Sequence, residues 1–280
     1  MDLNVPELFE WAPLWFKDSP FAINRVVLLT FLSGLLCVAF FLYGAAKKKL
    51  VPKGTHGMAE TGYMFVRNQI AIDVIGPKDG PKFAGYLASL FFFILFCNFL
   101  AIFPGITMAA TSRMAIPFFL AIVTYLIFNF VGIKRNGLRY FKETLFPPGV
   151  PWPIYILLTP IELFSVFVVR PLTLMVRLLA NMMAGHVLLT IFFLFTADLL
   201  RPQLSAPLGV LTLAVAVALM MLELLVIFMQ AYIFTMLSAF YIAEAIHGHG
   251  EHEEEEHGEH VESFAHTEYE TEGIEDKAVA

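Results

Sequence analysis

The chain has 280 residues, of which 58% are hydrophobic and 15% are charged, and its formal net charge is -6. A soluble globular protein typically has about 25% charged residues and lacks repeated uncharged stretches of about 20 residues. The mean hydropathy of +0.72 agrees with that contrast. The composition therefore excludes a soluble protein and predicts an all-α integral membrane protein in contact with the lipid bilayer, without a nucleic-acid partner.

The first residues and the cysteines exclude two further features. Residues 1–17 include the acids Asp2 and Glu7 instead of a basic start before an apolar core, so we expect no cleavable secretory signal. Cys37 and Cys97 fall inside apolar stretches, which favours buried side chains over a disulfide or a metal framework. We expect no redox chemistry, no bound metal and no cofactor.

The apolar stretches predict five transmembrane crossings, at residues 26–46, 83–103, 114–133, 154–197 and 208–246. At ~1.5 Å per residue the fourth stretch would be ~65 Å long, about twice the thickness of a bilayer core. It must therefore tilt steeply, break near Pro160 or Pro171, or do both. The last two helices are expected to form a tilted membrane hairpin. Residues 63–75 interleave apolar and polar side chains, which predicts a surface amphipathic helix.

The distribution of lysine and arginine predicts the orientation, because cytoplasmic loops are enriched in these residues. One side would hold Lys47, Lys48, Lys49, Lys53, Arg67, Lys78, Lys82, Lys134, Arg135, Arg139 and Lys142, and the other Lys17, Arg25, Arg113 and Arg201. The N-terminus is therefore expected outside and the C-terminus in the cytoplasm. With no organelle transit peptide visible, the bacterial plasma membrane is the expected location.

Three parts of the chain follow from this layout: an extracytoplasmic N-terminal segment at residues 1–25, a membrane domain at 26–246, and an acidic tail at 247–280. The tail combines glutamates with His247, His249, His252, His257, His260 and His266. Clustered His and Glu can bind zinc or nickel, but the irregular spacing without cysteines favours a disordered, solvated cytoplasmic tail.

Charged residues inside the fourth apolar stretch are the strongest functional signal, since a charge costs roughly 3 kcal/mol or more at the bilayer centre. Arg170, Arg177 and Asn181 lie within about 40° of one helix face and form a polar stripe. Two structural explanations remain open. Arg177 could pair with an acid such as Glu162 or Glu223, and Arg170 could extend its charge to the cytoplasmic interface.

A second group of polar residues spans both long helices. His186 lies about 13.5 Å beyond Arg177 by helix rise, and Gln230 lies about 10.5 Å inward of Glu223 on the antiparallel partner. Arg177 can therefore lie level with Gln230, and His186 level with Glu223. Partly buried His and Glu can both titrate near neutrality, so this pair is a candidate proton relay, although it could be only a buried stabilising pair. Nine residues rotate a helix by about 180°, which places His186 opposite Arg177.

The sequence from Arg170 to Leu174, the sequence RLLANMMAGH from Arg177 to His186, and the sequence QAYIFTML from Gln230 to Leu237 resemble subunit a of the F-type ATP synthase. The resemblance covers the last two helices closely and extends more loosely to Asn98 and Pro104 in the second span. The five-crossing layout with an outside N-terminus agrees with that family.

The resemblance implies a non-catalytic subunit with two offset aqueous half-channels against a rotating ring of c subunits, held by b-type peripheral stalk subunits. Arg177 matches the essential arginine that attracts each ring carboxylate, Gln230 the glutamine that faces it, and Asn181 its neighbour. His186 and Glu223 match two outer half-channel positions that hold an acid and a histidine in the reverse order in other members. Asn98 would line the same path.

Two other classes of protein fit the sequence less well. A secondary transporter could bind an anion at Arg177, but the chain has no internal repeat and few helices broken at mid-membrane. An intramembrane enzyme would need a nucleophile and base, or a metal motif such as H-E-x-x-H within a span, and none is present in the sequence.

Overall fold

The computed structural model describes residues 25–46, 54–102, 110–137, 140, 152–199 and 206–247. Within these ranges the chain is helical and contains no strand. The described α-helices are α1 (Arg25–Ala46), α2 (Thr55–Val66), α3 (Asp73–Ile75), α4 (Gly80–Phe99), α5 (Ala115–Asn136), α6 (Trp152–Phe164), α7 (Arg170–Leu199) and α8 (Ala206–His247). The predictions for residues 1–24 and for the tail beyond His247 lie outside the described residues.

Five helical stretches among the described residues are long and apolar enough to cross a membrane. They are Val26–Gly44, Gly80–Ile102, Ala115–Asn136, Ile154–Leu199 and Leu208–His247. Many large apolar side chains on them are exposed, among them Phe31, Phe130 and Ile156, as expected where lipid takes the place of water. The predicted all-α membrane fold with five crossing helices is confirmed.

Helix α5 shows how the sequence sets a helix end. Lys134 and Arg135 lie in its last turn, where cations interact favourably with the helix dipole. Gly137 follows with φ 59°, and its N–H donates to the Ile133 carbonyl at 2.8 Å. Glycine adopts this left-handed conformation without steric cost, which ends the helix while satisfying a terminal carbonyl.

The fourth apolar stretch stays helical through Pro160 and Pro171, so of the two alternatives, a steep tilt or a break near one of these prolines, the break does not occur. Pro160 lies inside α6, and a π-helical segment, Ser165–Val169, joins α6 to α7. Pro171 is the second residue of α7. A helical proline offers no N–H and its ring crowds the carbonyl four residues earlier, here that of Phe167. The wider π turn at this point accommodates that missing hydrogen bond without ending the helix.

The predicted amphipathic segment is helical from α2 through a π-helical segment, Arg67–Ile72, to α3. One face is buried and consists of Val66, Ile70, Ala71 and Ile75, whereas the polar residues Asn68 and Gln69 are exposed. Small residues bring this segment close to its neighbours. A Cβ on Gly62 would lie 2.5 Å from the Phe92 ring of α4, and one on Gly44 of α1 would lie 2.6 Å from the Ala59 Cβ.

The chain divides into two compact units, Met1–Tyr125 with Val169–Phe240, and Leu126–Val168 with Tyr241–Ala280. In the first unit, Phe65, Phe91, Phe228 and Tyr232 form an aromatic cluster that joins α2, α4 and α8. In the second, the Phe128 and Tyr241 rings lie 5.8 Å apart, and the Asn136 amide donates to the Ala245 carbonyl at 3.4 Å.

Candidate functional site

Helix α7 has one buried face and one exposed polar face. Leu174, Leu178, Met182 and His186 recur every four residues and are all buried, as a helix packed along one side requires. Arg177 is exposed and so is Asn181, one turn further along. His186 and Arg177 therefore lie on opposite sides of the helix, as their spacing predicts.

Arg177 takes part in no hydrogen bond or ion pair with any residue that the structure describes. Lys82 Nζ and Asp79 Oδ1, by contrast, form an ion pair at 2.6 Å. Glu223, the candidate acid that belongs to the same compact unit as Arg177, keeps its Oε1 without a partner among the described residues. Arg177 therefore does not pair with Glu223, and its guanidinium is exposed on the surface of the subunit.

Asn181 and Gln230 connect α7 to α8. The Asn181 Nδ2 donates to the Gln230 Oε1 at 2.6 Å. Gln230 is 1% exposed, and its own Nε2 has no partner within the described residues. Helix rise predicts that Gln230 lies at the same depth as Arg177. The Gln230 amide instead contacts Asn181, which lies one helical turn after Arg177. A glutamine side chain can reach that far along a facing helix, so the polar contact differs from the one that helix rise alone suggests.

Glu223 lies against the small residue that precedes His186. The Glu223 carboxylate occupies the space in which a Cβ of residue 185 would stand, and that position is a glycine. Glu223 is 5% exposed and His186 is 7% exposed. His186 Nε2 and Glu223 Oε1 each lack a hydrogen-bond partner among the described residues. The two side chains lie at the same depth on α7 and α8, and each keeps a polar atom free to bind another group.

Asn98 is buried on α4, and only one of the two polar atoms of its side chain has a hydrogen-bond partner among the described residues. The Thr111 hydroxyl donates to the Asn98 Oδ1, and Thr111 lies in a short 3-10 turn, Ala110–Ser112. The Asn98 Nδ2 has no partner among the described residues. The amide is therefore satisfied on its acceptor side and unsatisfied on its donor side.

Buried polar atoms without a partner are confined to this site within the part of the chain that the structure describes. The side-chain atoms concerned are Asn98 Nδ2, His186 Nε2, Glu223 Oε1 and Gln230 Nε2. Each belongs to a residue that the sequence had singled out. A buried polar group without a hydrogen bond costs about 1–3 kcal/mol, so such groups in native proteins usually have water or a functional partner.

An apolar cluster lies between these polar groups. It consists of Ala101 of the α4 end, Met182 of α7 and Ile227 of α8, with Leu95, Ile102 and Val226 packed against it. Ile227 stands between Glu223 and Gln230 on one face of α8, at four and three residues respectively. The polar groups therefore form two levels separated by a packed apolar layer.

Two predicted residues, Arg170 and Glu162, lie in the preceding part of the fourth apolar stretch. Arg170 is half-buried at the start of α7, and its carbonyl accepts from the Thr173 hydroxyl at 3.0 Å. Glu162 is half-buried and belongs to the second compact unit. No group of three or more His, Cys, Asp or Glu suited to a metal is found among the described residues.

Two residues of the site were not identified from the sequence. Thr111 contacts Asn98 across 13 positions, through a connection that carries no periodic pattern. Gly185 makes room for the Glu223 carboxylate, a contact across two helices that the sequence does not predict. The sequence signal for Gly185 was its place next to His186 in a helix of otherwise larger residues.

The geometry defines a multi-pass α-helical membrane protein with an unpaired arginine and buried, unsatisfied polar groups on its long helices. The sequence profile described as ATP synthase A chain matches residues 27–243. The ATP synthase subunit a of Frankia alni is 44% identical over 264 residues, covering 91% of this chain and 90% of the relative. That of Rhodococcus erythropolis is 38% identical, covering 88% and 91%, and that of Hyphomonas neptunium is 38% identical, covering 86% and 94%. The chain belongs to the ATP synthase subunit a family.

Proposed function

We propose that the chain forms two proton half-channels against a rotating ring of c subunits, and so couples proton flow to rotation and ATP synthesis. The observation that carries this proposal is that Arg177 lies in a membrane helix with its side chain exposed and without a partner among the described residues. A charge in that position is stabilised only if a partner outside the subunit approaches it. An ion-conducting role within a larger complex follows.

Arg177 would act by selecting the charge state of each ring carboxylate that passes it. A guanidinium remains protonated at any physiological pH, whereas a carboxyl can change state. Opposite Arg177 the ionised carboxylate is favoured, and in lipid the neutral acid is favoured because an isolated ion there is costly. The carboxyl must therefore lose its proton on one side of Arg177 and regain one on the other, which couples proton transfer to rotation.

The outer half-channel would run past His186, Glu223 and Asn98. Three of the four buried atoms without a partner belong to these residues, and water is the partner that such atoms most often have. His and Glu can each accept and release a proton, and the Asn98 amide can donate a hydrogen bond to water or to a carboxylate. Asn181 and Gln230 would line the path at the level closest to Arg177. Arg170 and Glu162 would be secondary polar groups toward the cytoplasmic side.

The partners follow from this role. The exposed face of α7 with Arg177 would meet the c-ring carboxylates, and b-type peripheral stalk subunits would hold the subunit against rotation. The chain itself would catalyse no reaction. The relatives named above are bacterial, so we place the protein in the bacterial plasma membrane with the N-terminus outside and the C-terminus in the cytoplasm.

The test compares native protein with Arg177→Ala in vesicles that contain the assembled complex. We expect coupled ATP synthesis to be lost in the variant while passive proton leak stays equal or rises. Arg135→Ala is the matched control, because Arg135 is exposed at the end of α5 and beyond the apolar part of its span, and it should retain native synthesis. Native-level synthesis by Arg177→Ala, in a complex that assembles normally, would refute the proposal.

A further inference from the structure

Thr111 occupies a fixed position beside Asn98. Its 3-10 turn packs against α1, α4 and α7, and Ala110 of that turn is buried with Leu29 of α1 and Cys97 of α4. Thr111 and Asn98 are both 0% exposed. The hydroxyl is therefore held in place by its neighbours in the fold, and it does not depend on a flexible loop to reach the amide.

The Thr111 hydroxyl anchors one side of the Asn98 amide and leaves the other side free. The hydroxyl donates to Oδ1, so the carbonyl side of the amide points toward the turn and the Nδ2 points away from it. That nitrogen is buried and has no partner among the described residues. Without the hydroxyl, the buried amide would lose the partner that fixes its position, and its side chain could turn away from the place it now occupies.

The neighbours of Asn98 in sequence pack against the helices that carry the other polar groups of the site. Leu95 of α4, with Ala101 and Ile102 of the 3-10 turn that follows α4, packs with Met182 of α7 and Ile227 of α8. Met182 lies one turn before His186, and Ile227 lies one turn after Glu223. An ionised glutamate only accepts hydrogen bonds, so a donor nitrogen suits this position, directly or through one water, and a carbonyl oxygen does not.

We propose that Thr111 is a positioning residue for the outer proton path, and that its hydroxyl anchors the Asn98 amide beside that path. The proposal rests on the proposed function and adds a residue to it. Thr111 itself does not need to touch the proton, because it acts through the position of Asn98.

The test measures passive proton conductance in vesicles that contain the complex after removal of its catalytic sector. Thr111→Val keeps the shape of the side chain but removes the donor, and Thr111→Ser keeps the donor. We expect about a 2- to 10-fold loss of conductance with Val, which corresponds to one ordinary hydrogen bond, and conductance within about twofold of native with Ser.

A double-variant comparison separates positioning from a merely structural role. In an Asn98→Ala background, Thr111→Val should cause no further loss, because the amide through which it acts is gone. The same fold-loss in both backgrounds, native conductance with Val, or a Ser variant as impaired as Val would overturn the proposal. If Thr111→Val prevents assembly, Thr111→Cys replaces it, because a thiol is a much weaker hydrogen-bond donor than a hydroxyl. The outcomes that support or overturn the proposal are then the same as for Thr111→Val.

Native complex and Arg177→Ala are measured in the same vesicles. Absence of conductance in the native complex, or normal coupled synthesis with Arg177→Ala, would count against the proposed function itself. If the native complex conducts protons and Arg177→Ala loses coupled synthesis, native conductance in Thr111→Val would refute the role of Thr111 and leave the proposed function intact.

Discussion

At position 185 a side chain of any size competes with the Glu223 carboxylate for the same space. We expect Gly185→Ala to displace Glu223 and to lower coupled proton transport at least several-fold. The intrinsic helix propensity of alanine exceeds that of glycine by about 1 kcal/mol, so the loss would not arise from a weaker helix. The measurement is ATP-driven proton pumping in vesicles at equal levels of assembled complex.

Gly85 supplies the matched control for that substitution. It is also a helical glycine in a membrane span, but a Cβ there would meet nothing within 4 Å. Gly85→Ala should therefore pump protons at the native rate. Equal pumping by Gly85→Ala and Gly185→Ala would show that the space beside Glu223 does not matter for transport.

The Asn181 and Gln230 pair makes a prediction about stability at the same scale. Asn181→Ala removes the donor to Gln230 Oε1 and leaves an amide that is 1% exposed wholly unpaired. We expect a loss of about 1–3 kcal/mol in the free energy of unfolding. The double variant Asn181→Ala with Gln230→Met, which removes both polar partners, should be more stable than the single variant. Denaturant unfolding in detergent micelles measures both, and strictly additive losses would contradict a direct amide contact.

At the scale of elements, α4, α7 and α8 meet at the apolar cluster of Ala101, Met182 and Ile227. Between membrane helices such contacts stabilise mainly by van der Waals packing, since lipid is as apolar as the side chains. Met182 is 0% exposed, whereas the next residue, Met183, is 37% exposed. We expect Met182→Ala to lower the free energy of unfolding by about 2 kcal/mol or more, and Met183→Ala to lower it much less.

That comparison uses two methionines one residue apart on the same helix, so hydrophobicity and helix propensity change equally in both variants. Thermal unfolding of the complex in detergent gives the difference. A loss of stability that is the same at both positions would mean that the three helices do not depend on the cluster for their packing.

The helices themselves were largely predictable because each has local signals. Basic residues and Gly137 mark the end of α5, although the predicted end at residue 133 lies before the two cations that form its last turn. The second span was predicted from residue 83, yet α4 begins at Gly80. Lys82 was counted as a loop charge, whereas it lies in the first turn and pairs with Asp79 at 2.6 Å.

At the scale of the whole molecule, what could not be predicted are the contacts between helices. Helix rise predicted the level of His186 and Glu223 well, but it could not reveal that Gly185 holds the carboxylate, because that depends on how side chains extend across the gap. Likewise, Thr111 reaches Asn98 only after α1, α4 and α7 have packed around its turn. Residue types identified the site, and packing determined its hydrogen bonds.

The orientation of the whole chain leads to a prediction that uses the two ends of α5. Met114 precedes the helix and Lys134 lies in its last turn, ~30 Å further along, and both are exposed. With the N-terminus outside, a membrane-impermeant thiol reagent should label Met114→Cys in right-side-out vesicles and Lys134→Cys in inverted ones. The native Cys37 and Cys97 are buried, so background labelling should be low. Labelling of Lys134→Cys from the outside would reverse the orientation, and it would place the eleven basic residues assigned to the cytoplasmic side on the outer surface, contrary to the positive-inside rule.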